Sequence, residues 1–180
     1  MVVQRSAMRV AEPHPGQFTH YSTRMASNCA RKIAVMLKTQ TPNVKYTAYF
    51  VDDQKALLRN IPPRLTGKDV RIHAHHVTKE YRPKNGVDGI ILGQKKIMYA
   101  FAQVITDRVH TVLVKDKNGQ EIFNNAYPHI TIATARGAQQ KESNEAIAEA
   151  YKQNTVLPLD PVIEVPVTEG YFDITSVYNK

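Results

Sequence analysis

The chain has one cysteine, Cys29, among 180 residues. No disulfide framework can form within it, and no cysteine cluster is available for zinc. Cys29 falls in an expected helix and reads as a small apolar residue, because the sequence places no His or electropositive cleft beside it. His-x-x-x-His spacing and paired carboxylates at ligand spacing are also missing, and the acidic residues are scattered. The sequence therefore implies no metal site and no cofactor. No apolar stretch approaches 18 residues, which excludes a helical membrane span. The N-terminus lacks the continuous apolar core of a secretory signal, so the expected compartment is the cytoplasm (a host's cytoplasm, were the protein viral). No Lys/Arg run of five or more occurs, which excludes a compact localisation or heparin-type signal. No internal repeat is visible, and no obligate protein partner is evident.

What the chain does have is positive charge. Lysine and arginine number 24 against 16 Asp and Glu, giving a formal net charge of +8 and a pI near 9.6. That balance favours a polyanionic partner, of which nucleic acid is the simplest. The charge is uneven. Residues 1–44 carry Arg5, Arg9, Arg24, Arg31, Lys32 and Lys38 against Glu12 alone. The stretch from Arg64 to Lys115 is also basic and surrounds the first motif described next. Cations there would steer an arriving phosphate. At this length one domain with a real core is expected, and 42% apolar residues is ordinary for a globular chain.

Two tripeptides read His-x-Thr: His76-Val77-Thr78 and His129-Ile130-Thr131. Each lies in a strand-like apolar run. Residues i and i+2 of a strand share a face, so each motif sets an imidazole beside a hydroxyl. Two such strands facing one another would gather two imidazoles and two hydroxyls in one cleft. One His could take a proton while the other gives one, and the hydroxyls could hold phosphoryl oxygens. A lone strand His is more commonly a packed core residue. It is the pairing that points to chemistry. By strand parity His73 and His75 should face away from His76. For His14, His20, His73, His75 and His110, solvated or structural roles are expected. His75 is one residue from the cleft and could touch a substrate in an irregular stretch.

The segments His75-His76-Val77-Thr78 and Tyr127-Pro128-His129-Ile130-Thr131-Ile132, with 53 positions from His76 to His129, resemble the motifs of the two-histidine (2H) phosphoesterase superfamily. Glu169-Gly170-Tyr171-Phe172-Asp173 is similar to the final strand of the cyclic phosphodiesterase modules of tRNA ligases. The resemblance covers about residues 44 to 175. It implies an α+β, bilobed fold, with two antiparallel sheets around a central cleft and flanking helices. It also implies metal-independent hydrolysis of nucleotide or RNA phosphodiesters, with 2′,3′-cyclic phosphates opened by departure of the 3′ oxygen.

The expected organisation is a basic N-terminal arm and helix over 1–43, followed by one globular phosphoesterase domain over 44–180. Residues 1–22 read as an extended arm, and Met25 to Lys38 as a helix with Met25, Cys29, Ile33, Met36 and Leu37 on one side. Tyr46 to Val51 reads as a strand. Asp52 is the expected cap of a helix reaching Asn60. Further strands are expected at Val70–Thr78, Gly89–Leu92, Ile97–Thr106, Val109–Lys115, Tyr127–Thr134, Pro161–Val167 and Tyr171–Val177. A hairpin turn is expected at Asp116–Gly119. The last helix runs from Asn144 to Lys152, capped by Ser143 or Asn144.

His76, Thr78, His129 and Thr131 are thus the expected catalytic set, with acid and base unassigned between the histidines. Tyr81, Tyr127 and Tyr171 are candidates to stack on a base. Arg136 is a candidate phosphate contact, and His75 a further substrate contact. Two other readings compete. One is a hydrolase of the same fold acting on cyclic or 2′-5′ oligonucleotide messengers. The other is a non-catalytic nucleic-acid-binding module.

Overall fold

The computed structural model describes residues 43–119 and 123–180. The chain divides into two units between Thr41 and Pro42. The expected N-terminal arm and helix, with Cys29, His14 and His20, lie outside the described residues.

The described part is α+β. Its strands are β1 (Tyr46–Val51), β2 (Arg71–Ile72), β3 (His76–Tyr81), β4 (Lys95–Ile105), β5 (Val109–Lys115), β6 (His129–Thr134), β7 (Leu157–Phe172) and β8 (Val177–Tyr178). The helices are α1 (Gln54–Asn60) and α2 (Glu142–Gln153). Strand pairing runs β1-β3-β6-β5-β4-β7, and β7 returns to pair with β1. Six antiparallel strands thus close into a barrel, with β2 added to β6 and β8 to β7. Among the described residues the strands form this single connected sheet, where two separate sheets were expected. The reason is the length of β7. Its 16 residues pair with β4 over Leu157–Thr168 and with β1 over Val167–Phe172, which carries one sheet from β4 round to β1.

The core follows from strand parity. Tyr49 and Val51 of β1, Val77 of β3, Ile130 and Ile132 of β6, Val112 and Val114 of β5, Met98 of β4, and Val165 and Val167 of β7 fill one buried cluster. Leu57 of α1 and Ile61 join it. The opposite face of β4 and β5 is covered by α2, where Ile147 and Ala150 bury against Ala102, Val104 and Leu113. A register shift between Ala100 and Ala102 turns β4 from the first cluster to the second. Because Val77 and Ile130 point into the barrel, their neighbours His76, Thr78, His129 and Thr131 take the other face.

Several local expectations change. The strand expected over Val70–Thr78 is broken, because Ala74 adopts φ 55° and only Arg71–Ile72 and His76–Tyr81 are extended. Gly89–Leu92 forms turns, with positive φ at Gly89 and Gly93. Asp116–Gly119 does make a turn, closed by Gly119 N–H donating to Asp116 C=O at 3.3 Å. It opens a longer connection, since β6 begins only at His129. The cap of α1 is Asp53, whose carboxylate accepts from Ala56 N–H at 2.8 Å. Asp52 accepts from the Thr168 hydroxyl instead, at 2.6 Å. Helix α2 starts at Glu142 after Lys141, with no side-chain cap, which frees Ser143 for the site.

Candidate active site

The two motif strands meet at one register pair, Val77↔Ile130, running antiparallel. Carried one residue either way, that register sets His76 against Thr131 and Thr78 against His129. Each imidazole therefore stands across the seam from the other motif's hydroxyl. All four side chains line one cleft of about 740 Å³. Lys45 and Tyr46 before and within β1, and Phe172 at the end of β7, form one wall. Gln139, Gln140, Lys141 and Asn144, leading into α2, form the other. The charged lining residues are Lys45, Lys79 and Lys141, with no carboxylate among them. Such a lining suits an anion. Among the described residues no group of three His, Cys, Asp or Glu is arranged to hold a metal ion.

The two histidines differ in their surroundings. His129 Nδ1 is 2.6 Å from the carbonyl oxygen of Tyr127. A carbonyl only accepts, so Nδ1 carries a hydrogen and Nε2 is the nitrogen left for chemistry. Burial lowers the His129 pKa, and this hydrogen bond partly restores it. His76 is held below its usual value, to about 3, first by burial and then by the charges of His75, His129 and His73. Tyr46 stacks on His76 with ring centres 4.8 Å apart, and Phe172 stacks on Tyr46 at 5.2 Å. Burial pushes the Tyr46 phenol up to about 12, so it stays neutral. Thr131 is held from behind, its hydroxyl 3.0 Å from the Ser143 hydroxyl in the first turn of α2.

His75 also lines the cleft, against the parity expectation. His75 lies in the irregular stretch between left-handed Ala74 and the start of β3 at His76, where strand parity does not apply, and its ring sits beside that of His76. Tyr81 lies at the cleft edge, with the Arg82 guanidinium 5.4 Å from its ring centre. The remaining candidates lie elsewhere. The Tyr127 ring packs on Tyr151 at 5.6 Å, and only its backbone carbonyl serves the site. Tyr171 stacks on Tyr178 at 4.7 Å, because parity along β7 turns its neighbour Phe172 to the cleft. Arg136 pairs with Asp69 at 3.2 Å on the surface.

Two other histidines are structural, as expected. His73 lies 3.0 Å from the Thr134 hydroxyl and 2.7 Å from Gln140 Nε2. His110 is fully buried between Gln103 Oε1 at 3.0 Å and the Arg64 N–H at 3.3 Å. Sequence reasoning missed Tyr46, Phe172, Ser143, Lys45 and Lys141. Tyr46 sits four residues before Phe50 on the same strand face, a signal that was present. Ser143 was legible only as a helix cap. Comparison with protein-family models, with curated proteins and with solved structures returns no match.

Proposed function

We propose that the chain is a metal-independent phosphodiesterase of nucleotide or RNA substrates that opens 2′,3′-cyclic phosphates by general acid–base catalysis. The observation that carries this reading is the gathering of His76, Thr78, His129 and Thr131 in one carboxylate-free cleft. The resemblance of the two motifs to the 2H phosphoesterase superfamily supports it. The two-lobed form of that superfamily belongs to the same reading, with the single-pair seam between β3 and β6 as the line between lobes.

The unequal surroundings of the histidines divide their roles. Burial keeps His76 neutral near pH 7, the protonation state a general base needs, and we assign it that role. It takes a proton from water as the water oxygen attacks phosphorus. His129 has a carbonyl ready to stabilise its imidazolium, and a bound phosphate would favour that charge further. It is the acid, and gives its Nε2 proton to the departing 3′ oxygen, leaving a 2′-phosphate. Ser143 can donate to Thr131 Oγ1, which turns the Thr131 hydrogen toward a nonbridging oxygen. Thr78 serves the facing oxygen. Their hydrogen bonds strengthen as charge grows on the phosphoryl group. Lys45 and Lys141 supply the field that draws the anion in; the Lys79 ammonium is held by Glu169.

The test is incubation with 2′,3′-cyclic AMP, RNA ending in a cyclic phosphate, 2′-5′ oligoadenylate and cyclic dinucleotides, with a chelator in excess. Release of a 2′-phosphate from the cyclic substrates is expected. Turnover of only the oligonucleotide messengers would favour the second hydrolase reading. RNA binding without turnover, unchanged when both histidines are replaced, would favour a binding module. Activity lost to chelator and restored by one divalent ion would overturn metal independence.

A further inference from the structure

His75 and His76 meet through nitrogen. Their Nδ1 atoms are in hydrogen-bond contact, while the ring centres are 4.4 Å apart and the planes 25° apart. Nearly coplanar rings whose nearest atoms are nitrogens meet edge to edge, in the geometry of an N–H···N hydrogen bond. Such a bond holds one hydrogen. Two would collide, and none would set two lone pairs against each other. The motif at His129 uses a carbonyl at the same position, which fixes the hydrogen on the histidine. A second imidazole fixes nothing, because it can give or accept.

We propose that His75 and His76 share a single Nδ1 proton, and that His75 is the positioning residue that sets which role His76 can play. With the hydrogen on His76 Nδ1, its Nε2 presents a lone pair to the cleft and His76 is ready as a base. With the hydrogen on His75 Nδ1, neutral His76 carries its own hydrogen on Nε2 and can only donate. The catalytic use of this pair rests on the two-histidine reading; the shared proton does not. In the catalytic step the O–H bond of water breaks and a bond forms from that proton to His76 Nε2. The Nδ1 proton then passes to His75, whose other nitrogen keeps its hydrogen, and the positive charge moves one ring further from the phosphate. This gives a deeply buried, weakly basic histidine a place to put its charge. The segment is well held for the purpose. His73, two residues earlier, is anchored by Thr134 and Gln140, and Tyr46 stacks on His76.

The titratable and charged groups around the pair are His73 on its own segment, Tyr46 from β1, His129 from β6, and Lys45 and Lys141 in the cleft lining; Lys79 is paired with Glu169. The experiment is nitrogen-15 NMR of the histidine side chains in the full chain across pH, paired with kinetics of His75→Phe and His75→Gln. The neutral wild type should show one Nδ1 proton spread over His75 and His76, and the pair should gain its first extra proton as a unit. His75→Phe should collapse that signature and lower kcat roughly 10- to 100-fold, the scale seen when a histidine loses its orienting partner, with KM little changed. His75→Gln, whose amide oxygen accepts from His76 Nδ1, should recover part of kcat. Two histidines with separate, fixed tautomers and independent titrations in the wild type would overturn the proposal, as would a His75→Phe protein with unchanged kcat and pH profile. A shared proton in a protein that turns over no phosphodiester would establish the pair and overturn its catalytic use.

Discussion

Lowering the pH from 8 to 5 should remove about 4 kcal/mol of stability from the described domain, and histidines account for it. Burial holds His76 down to about 3 and His110 down to about 4. For His110 the direction has a visible cause beyond burial. Its Nδ1 accepts the Arg64 N–H and its Nε2 donates to Gln103, so an added proton has nowhere to bind without breaking a bond. An unfolded chain binds protons at these residues near pH 6.5, and the folded one refuses them. Stability is therefore complete above that pH and falls as the pH drops toward the folded values. At pH 5 the gap is about 1.5 pH units, at about 1.36 kcal/mol each, or roughly 2 kcal/mol per histidine. His73, His75 and His129 shift in the same direction and add to the loss. Against a total of about 5–15 kcal/mol, the loss is large. Thermal unfolding at pH 8, 7, 6 and 5 should show a midpoint falling by about 10–20 °C. In His76→Gln and in His110→Gln the loss should in each case be smaller by about 2 kcal/mol. A midpoint that stays level from pH 8 to 5, or a slope unaltered in both variants, would refute the reasoning.

His76→Ala and His129→Ala should each cut turnover roughly 10²- to 10⁴-fold while circular dichroism at pH 8 stays unchanged; wild-type rates in either would remove the two-histidine mechanism. Thr78→Ala and Thr131→Ala should lower kcat more than they raise KM, with Thr→Ser the milder change at both positions. Ser143→Ala, which removes only the support for Thr131, should cost about tenfold or less in kcat, the worth of one hydrogen bond. Glu169 is buried beside Lys79 at 2.7 Å and also accepts from Ile91 N–H at 3.2 Å. Glu169→Leu should therefore lower stability to urea by about 3–5 kcal/mol, and adding Lys79→Met should restore most of it.

The short apolar runs were legible. β1, β4, β5 and β6 lie within a residue or two of their expected places, because each is a run rich in β-branched, aromatic and other apolar residues bounded by polar or turn residues. Closure of the barrel was not legible. It depends on β7 pairing on both sides, and two expected strands at Pro161–Val167 and Tyr171–Val177 concealed one long strand. The histidines and threonines of the site could be found because each motif states its own geometry. For His75 parity points away from the cleft while its nearness to the motif makes it a candidate contact; the stretch is irregular, with left-handed Ala74, and His75 lines the cleft. Of the aromatic candidates Tyr81 lines the cleft, whereas Tyr127 and Tyr171 are near the motifs only in sequence; the cleft wall is completed by Tyr46 and Phe172, which the β1–β7 register sets opposite each other.

The antiparallel pair Val77↔Ile130 gives the centre of the cleft a local twofold symmetry, His over Thr on one side and Thr over His on the other. A phosphate group turned end for end would meet the same four side chains. Direction must then come from residues that the symmetry does not copy: a carbonyl against one imidazole, a histidine beside the other, a serine behind one threonine. Reversing the sense of the reaction would call for changes behind the motifs, with the motifs themselves left alone.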